Sequence, residues 1–486
     1  MFDHIVVGAG IVGAWLTRRL LSMGRSVALV EIGHSDPEQP KVAAPALKFP
    51  QRENIGAIKA RNHVLTGNSR YWGGGLMRND TQSLCKMFDL KSTSSIPDEL
   101  TECYRVVERE LAVPRACRDR SEANIRMAPI FILPGERRNI ARTLLEECIN
   151  DPKLKMYCDV EIRNVKYGID NRLEALTLSS PDDSEILIGA KHFVLSMGVV
   201  DSNIFALTML SRTCRKTGHL FGKKLHDHWS IPIAAISWKS GAGLDWLFPP
   251  RFSKGFIEAV HAEIEAHYQS GSQTGFLHLQ ADFDHVEPYA TIKKILLGRQ
   301  KGYQLSKLLR MSVPLAQYFP NLLELAFNRY VRGQLYVPDG MRLNIYLDFE
   351  SYPSEKNEFI IENGVPKLYW DVRDEDVVTF SRLVAKSNAL IRQWVKDRNL
   401  QAELLVDGSF EQLEQYLREN VVDAYHLGGG LAIGSTVDRG VINRDYRFHE
   451  IENLAVIGTA TFLNAGIANP VETLLAMCER YSRTLT

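Results

Sequence analysis

The chain reads as an α/β protein in which a Rossmann-like dinucleotide-binding domain with a parallel sheet is joined to a second domain built on an antiparallel sheet with helices. Three observations predict this. A glycine fingerprint follows the first apolar run, apolar runs of the same kind return near residues 156–195, and alternating runs suited to half-buried strands fill much of 228–362.

Asp3 to Val7 (DHIVV) predicts a short buried strand. Gly8-Ala9-Gly10-Ile11-Val12-Gly13 then supplies the G-x-G-x-x-G turn that opens a helix to about Met23. Gly8 makes the tight turn, Gly10 lets the backbone approach a pyrophosphate at the helix N-terminus, and Gly13 lets helix and strand pack closely. A second strand, Ser26 to Val30, runs into Glu31, whose carboxylate would accept hydrogen bonds from a ribose hydroxyl and disfavour a 2′-phosphate. Strand, turn, helix, strand and acid in this order predict a dinucleotide site.

Gly67 to Gly75 (GNSRYWGGG) surrounds Trp72 with four glycines. That composition suits either a loop lying flat on a large planar ligand or an ordinary glycine-rich turn with one core Trp. Met156 to Val165 and His192 to Leu195 predict two further strands, the latter leading through Ser196-Met197-Gly198 into an apolar helix to about Leu210. His228 to Trp238, Gly275 to Asp282, Met341 to Glu350 and Glu358 to Glu362 predict strands of an antiparallel sheet, and Asp374 to Asp397 a long helix. The nucleotide domain is expected to be discontinuous: 1–90, 150–228 and 420–486. Residues 229–419 form the substrate domain, and 91–149 a helical connecting region.

The tail carries His426 and, 43 residues later, Asn469-Pro470. Oxidising an alcohol needs a base for the hydroxyl proton, a hydride acceptor near the C–H, and a hydrogen-bond donor for the developing oxyanion. Histidine suits the first role because it titrates near neutrality, and the asparagine amide suits the last. Pro470 fits the first position of a final helix.

Five blocks in one order resemble the glucose-methanol-choline (GMC) flavin oxidoreductases: GAGIVG with Glu31, NSRYWGGG, VLSMGVVDSN (194–203), FGKKLHDH (221–228) and the tail from Tyr425 to Ala476. No motif of the family is found from about 239 to 342. The resemblance implies a GMC, p-hydroxybenzoate-hydroxylase-like arrangement holding FAD. It further implies cofactor contacts at Gly8, Gly10, Ile11, Val12, Gly13, Glu31, Ser69, Trp72, Gly73, Gly74, Val160, Gly198, Gly458, Thr459, Asn469 and Pro470. It implies oxidation of an alcohol by hydride transfer to flavin N5, with His426 as base and Asn469 beside it. A sugar or other secondary carbinol is the expected substrate, free or carrier-linked, because the Trp-Gly-Gly loop and the His/Asn pair look like the sugar-oxidising, pyranose-oxidase-like branches. The electron acceptor stays open. A hydroxyl of the family's histidine block is missing at Gly429-Gly430, and that block closes on Ile433-Gly434. Where a pyranose oxidase bonds flavin through histidine this chain has Tyr71, so FAD is expected to be non-covalent. A lyase using the same fold, or a non-catalytic carrier or escort protein, are the alternatives.

His226 and His228 would face the same way on a strand, but no third ligand stands at a recognisable spacing, so no metal is expected. Asp227-His228 matches the family's Asp-His pair. Seven cysteines without a C-x-x-C read as reduced thiols. With 58 basic and 58 acidic residues the net charge is zero, which argues against a nucleic-acid partner. The first strand begins too early to leave room for a signal peptide, and no apolar run approaches a membrane span, so a cytoplasmic protein is expected. One segment departs from this balance. Residues 291–333 hold eight Lys or Arg (293, 294, 299, 301, 307, 310, 329, 332) against Glu324 alone, interleaved with apolar residues. They read as a basic amphipathic insertion: a solvated cover, a lid over the substrate, or a face resting on a membrane.

Overall fold

The computed structural model describes residues 1–35, 47–91, 93–114, 121–122, 125–168, 170–241, 243–268, 271–281, 283, 286–300 and 303–485. Cys117 and Lys301 lie outside them.

Two sheets organise the described residues. The first has a parallel core in the order Ile451–Val456, Glu185–Leu195, Phe2–Val7, Val27–Val30 and Leu154–Tyr157. Strands of this kind are covered on both faces, which explains their continuous apolar runs; all four residues of Val27–Val30 are buried. Glu161–Tyr167 and Leu173–Ser179 extend it as an antiparallel meander onto Glu185–Leu195.

The stretch expected as one strand from Met156 to Val165 is therefore two, Leu154–Tyr157 and Glu161–Tyr167. Asp159 separates them with a left-handed φ of 59°, its N–H donating to the Gly33 carbonyl at 3.1 Å. The helix after Ser196 runs Gly198–Phe205 and widens into a π turn over Ala206–Leu210.

The second sheet has ten strands, with a main path Ala402–Leu404, His228–Ser237, Arg342–Glu350, Gly271–Ala281, Phe256–Tyr268, Ile125–Ile132 and Gly75–Leu76. Two expectations change here. Region 91–149 is not only a helical connector, because Ile125–Ile132 pairs along Phe256–Tyr268 inside this sheet. Glu358–Glu362 does not join the sheet and instead forms its own hairpin with Val365–Tyr369. The turn between them, Asn363-Gly364, has φ of 51° and 75°, the two positive values that a tight two-residue hairpin requires. Phe256–Tyr268 was illegible as a strand because alanines, glutamates and histidines make up eight of its thirteen residues and dilute the branched and aromatic ones.

One face of the ten-stranded sheet is apolar. Ile231, Leu277, Leu347 and Ala262 share it, and the helix Asp374–Arg398 covers it with Phe380, Leu383 and Ile391. Asn399 ends that helix in the left-handed conformation, φ 49°.

The first and last helices, Ile11–Ser22 and Pro470–Arg483, are joined by one buried carboxylate. Glu479 accepts from Trp15 Nε1 at 2.8 Å and from Arg19 Nε at 2.9 and 3.0 Å. Removing it leaves an indole N–H and a guanidinium without their acceptor in a partly buried place. Glu479→Ala is expected to cost about 2–4 kcal/mol, read as a lower midpoint of thermal unfolding, whereas Trp15→Phe with Glu479 intact should cost less. Equal midpoints for Glu479→Ala and wild type would show that the helices are held without it.

Candidate active site

Three neighbouring parallel strands end at one edge of the first sheet, and each leads into glycine. Phe2–Val7 leads to Gly8 and Gly10, Glu185–Leu195 to Gly198, and Ile451–Val456 to Gly458. Two of the fingerprint glycines are packing glycines. A Cβ on Gly13 would lie 1.8 Å from the Gly8 carbonyl oxygen, and one on Gly8 2.5 Å from that of Ser196. Gly10, Gly73, Gly198 and Gly458 differ, since a Cβ there would meet nothing within 4 Å. The carboxyl edge of the sheet is thus an open, backbone-lined groove at the N-terminus of the helix that carries Ile11 and Val12, the geometry that admits a dinucleotide pyrophosphate.

Glu31 is buried, and its two oxygens accept from the N–H groups of Ala9 and Gly33, each at 2.7 Å. Burial raises its pKa and those two backbone donors oppose the rise. The acid therefore braces the fingerprint turn; its remaining lone pairs are what a ribose hydroxyl would use. Val160 is buried alongside, its N–H donating to the Glu31 carbonyl at 3.3 Å. Ser69 is also buried, and its Oγ accepts from the Ala141 N–H at 3.0 Å, so the hydroxyl holds a helix start as well as the loop. Trp72 donates from Nε1 to the Arg138 carbonyl and accepts at its own carbonyl from Gln300 Nε2 at 3.0 Å. Gly74 has φ +81° and packs against the Arg138 side chain. Tyr71 is on the exposed side of this loop.

The tail returns to this groove. Asn469 caps the helix Pro470–Arg483 with no hydrogen bond from its side chain to the helix, and Pro470 occupies the first turn. A Cβ on Gly75 would lie 2.8 Å from Asn469 Nδ2, so the last glycine of the Trp loop is what lets the amide sit there. Asn79 holds the preceding turn, its Oδ1 accepting from the N–H groups of Ile467 and Ala468 at 2.9 and 3.1 Å.

His426 is reached by a chain of hydrogen bonds. His228 Nε2 lies 2.7 Å from the Gly466 carbonyl oxygen, and His228 Nδ1 lies 3.1 Å from His426 Nδ1. A carbonyl only accepts, so His228 carries its proton on Nε2 and presents a bare Nδ1. His426 must then donate from Nδ1, which leaves His426 Nε2 as the basic nitrogen. Burial pushes the His426 pKa down to about 3, helped by His228, and burial lowers that of His228 as well, so both rings are neutral. Asp227 Oδ1 accepts the backbone N–H of both histidines, at 2.7 Å from His228 and 2.9 Å from His426. Burial raises its carboxyl well above the usual range, with the nearby Asp423 adding to the rise.

Thr459 Oγ1 donates to the Leu427 carbonyl at 2.8 Å, tying the Gly458 turn to the His426 segment. Gly429 and Gly430 sit at φ +89° and +93°; a Cβ on Gly430 would strike Asn203 Oδ1, and Asn203 Nδ2 donates to the Gly429 carbonyl at 3.1 Å. No hydroxyl-bearing residue fits there. His226 is not paired with His228, because its Nε2 lies 3.1 Å from the Phe462 carbonyl oxygen instead.

Residues that sequence reasoning missed lie on the second face of the ten-stranded sheet. Register pairs His228 with Glu350, Ser230 with Asp348, and His278 with Tyr346, so all share the face that bears His228. Burial raises Glu350 to about 7. One polar atom each of His261, His278 and Asp348 lies within 4.8 Å of the others, and the rings of His261 and His278 stack at 4.7 Å. The signal is in the sequence: Tyr346, Asp348 and Glu350 alternate with Ile345, Leu347 and Phe349, so the strand sets a polar face against an apolar one. Met77, Ile130, Phe276 and Ala468 form a small apolar cluster that seats the Asn469 turn against this face.

Residues 362–478 match the family model GMC oxidoreductase. No curated protein matches the sequence. Among solved structures, pyridoxine 4-oxidase from Mesorbium loti superposes with a TM-score of 0.62 at 14% identity, covering 100% of this chain and 99% of that one. A formate oxidase gives 0.61 at 15%, covering 100% and 98%. A variant formate oxidase from Aspergillus oryzae RIB40, studied for the effect of its mutation on FAD modification, gives 0.60 at 14% with the same coverage. The family's cofactor is FAD, and the open glycine groove fits its pyrophosphate. The C-terminal segment 362–478 thus matches the GMC oxidoreductase family model, and the chain as a whole shares the fold of these oxidases.

Proposed function

We propose that the protein oxidises an alcohol to the carbonyl, with His426 Nε2 taking the hydroxyl proton and Asn469 donating a hydrogen bond to the substrate oxygen. The observation that carries this reading is the fixed tautomer. A base needs a free lone pair, and the chain from the Gly466 carbonyl through His228 assigns the His426 proton to Nδ1 and leaves Nε2 as the basic nitrogen of that ring. FAD, when bound non-covalently in the glycine groove, supplies the hydride acceptor. His228 acts through His426 and is a positioning residue: it orients the ring, fixes its proton, and keeps it neutral.

The substrate we propose is a polar hydroxylated molecule, a sugar or another secondary carbinol. It is supported by the sheet face that bears His228, where His261, His278, Asp348 and Tyr346 offer both donors and acceptors for further hydroxyls. Anaerobic addition of sugars, polyols and ring alcohols such as pyridoxine would test it. Bleaching of the flavin by an alcohol supports an oxidoreductase. Flavin that no alcohol in such a panel bleaches favours a lyase on this fold, and a purified protein without flavin favours a carrier.

His426→Ala is expected to keep its flavin while slowing anaerobic reduction by a factor on the order of 10² to 10⁴. Asn469→Ala should lose less, on the order of 10², through the missing hydrogen bond to the developing oxyanion. An unchanged rate in the His426 variant would remove it from the mechanism.

His228 is separable from a merely structural residue. His228→Leu takes away the acceptor for His426 Nδ1–H, and an effect of roughly 10- to 100-fold on reduction is expected, typical of an outer-shell partner. His228→Gln, which can donate to Gly466 and accept from His426, should recover part of it. Because burial, helped by His228, holds the His426 pKa below its ordinary 6.5, neutral imidazole persists as pH falls through that value. The acid limb of kcat/KM is therefore expected below pH 6.5 in wild type and nearer to it in His228→Leu. Identical limbs would argue against the positioning role.

Tyr71 cannot form a histidyl link to flavin. FAD is expected to be released into the supernatant by acid precipitation, and yellow colour retained on the washed precipitate would overturn non-covalent binding.

A further inference from the structure

The segment whose basic excess stood out in the sequence has an unusual surface. It forms the helices Tyr289–Gln300, Leu305–Ser312 and Phe319–Phe327, with a 3-10 turn Val313–Tyr318 between the last two and a π turn Asn328–Arg332 after them. Nothing in Leu305–Ser312, Val313–Tyr318 or Phe319–Phe327 is buried. Leu305, Leu309 and Val313 repeat at four-residue spacing, as do Phe319, Leu323 and Phe327, and these six are 50% to 71% exposed. Tyr330 and Val331 extend the second row at 80% and 68% exposure. The inner rows, among them Leu308, Met311, Leu322 and Leu325, are only half-buried. A helix apolar on its outer side as well as its inner side does not suit water. Contiguous apolar surface of this kind marks an interaction site.

Charge identifies the partner. The exposed rows run beside Lys307, Arg310, Arg329 and Arg332, while Glu324 is the single acid of 291–333. Apolar side chains flanked by cations, on helices too short to cross a bilayer, are complementary to an anionic lipid surface. Among the described residues no helix is long and apolar enough to span a membrane. A second copy of this chain would instead have to bring a matching acidic face, and the basic excess argues against self-association through this surface.

We propose that the face formed by 305–332 docks the protein on the surface of an anionic membrane, the Phe319, Leu323 and Phe327 side chains entering the headgroup region and the flanking Lys and Arg meeting lipid phosphates. The docked segment is tied to the candidate active site, because Gln300 at the end of the preceding helix donates to the carbonyl of Trp72. Docking therefore sets the Trp72 side of the groove next to the lipid.

The test is co-sedimentation of the full-length FAD-loaded protein with vesicles of phosphatidylcholine alone or mixed with phosphatidylglycerol. Each basic residue near an anionic surface strengthens binding on the order of fivefold. Wild type is expected to bind the anionic vesicles at least about tenfold better than the neutral ones, and less well as salt rises. Lys307→Glu, Arg310→Glu and Arg329→Glu together should abolish the preference. Phe319→Ser, Leu323→Ser and Phe327→Ser together should abolish binding while leaving the flavin spectrum and thermal unfolding unchanged, since these side chains support no core. Failure of wild type to bind anionic vesicles at low salt would overturn the proposal. So would a wild-type dimer, by light scattering, that the Phe319/Leu323/Phe327 variant converts to monomer, because the face would then belong to a second copy.

Discussion

Everything in this molecule depends on three parallel strands drawn from opposite ends and the middle of the chain, Phe2–Val7, Glu185–Leu195 and Ile451–Val456, finishing at one edge. Parallel neighbours cannot be joined by a tight turn, so the chain between them has to travel, and what it travels through is the second sheet. The pairing fixes which ends of those strands face the groove. Each strand then spends a glycine at that edge, and the groove is lined by backbone rather than by side chains.

The same constraint explains how residues 228, 426 and 466 come to share one hydrogen-bonded chain. His228 opens a strand of the second sheet, His426 precedes the glycine strand Gly428–Gly430, and Gly466 lies in the turn before the last helix. Their meeting couples the two sheets through one imidazole. His228 thus performs a structural act, holding the turn by its carbonyl, and a chemical one, dictating where the His426 proton sits. Asp227 reinforces the arrangement from the backbone side by accepting from both N–H groups. A buried acid used in this way, next to two neutral histidines, keeps charge out of the site until substrate enters it.

The second sheet shows how one element serves two purposes. Its apolar face builds the core under the helix Asp374–Arg398, and its polar face carries His228, which meets His426 and the Gly466 turn. Period-two alternation lets a single strand such as Arg342–Glu350 contribute Leu347 to the core and Asp348 to the face that bears His228. The basic helical segment is the exception to this economy, since it is attached at Gln300 but builds no core of its own.

The sequence by itself determined the parallel sheet, the fingerprint turn, Glu31, the Trp72 loop, the final helix start at Asn469-Pro470 and the unusual charge of 291–333, because each of these is a local pattern in which residue type answers a local backbone demand. Several things were decided only in three dimensions. The split of 156–165 required Asp159 to turn against Gly33, and Phe256–Tyr268 became a strand through its neighbours rather than its propensity. Glu358–Glu362 stands outside the large sheet because the Asn363-Gly364 turn pairs it with the next segment. The tautomer of His426 could not be read from any spacing, since it is set by a carbonyl 40 residues further along acting through a histidine 198 residues earlier. Protonation is a property of contacts, and the contacts that govern this one exist only once distant segments pair.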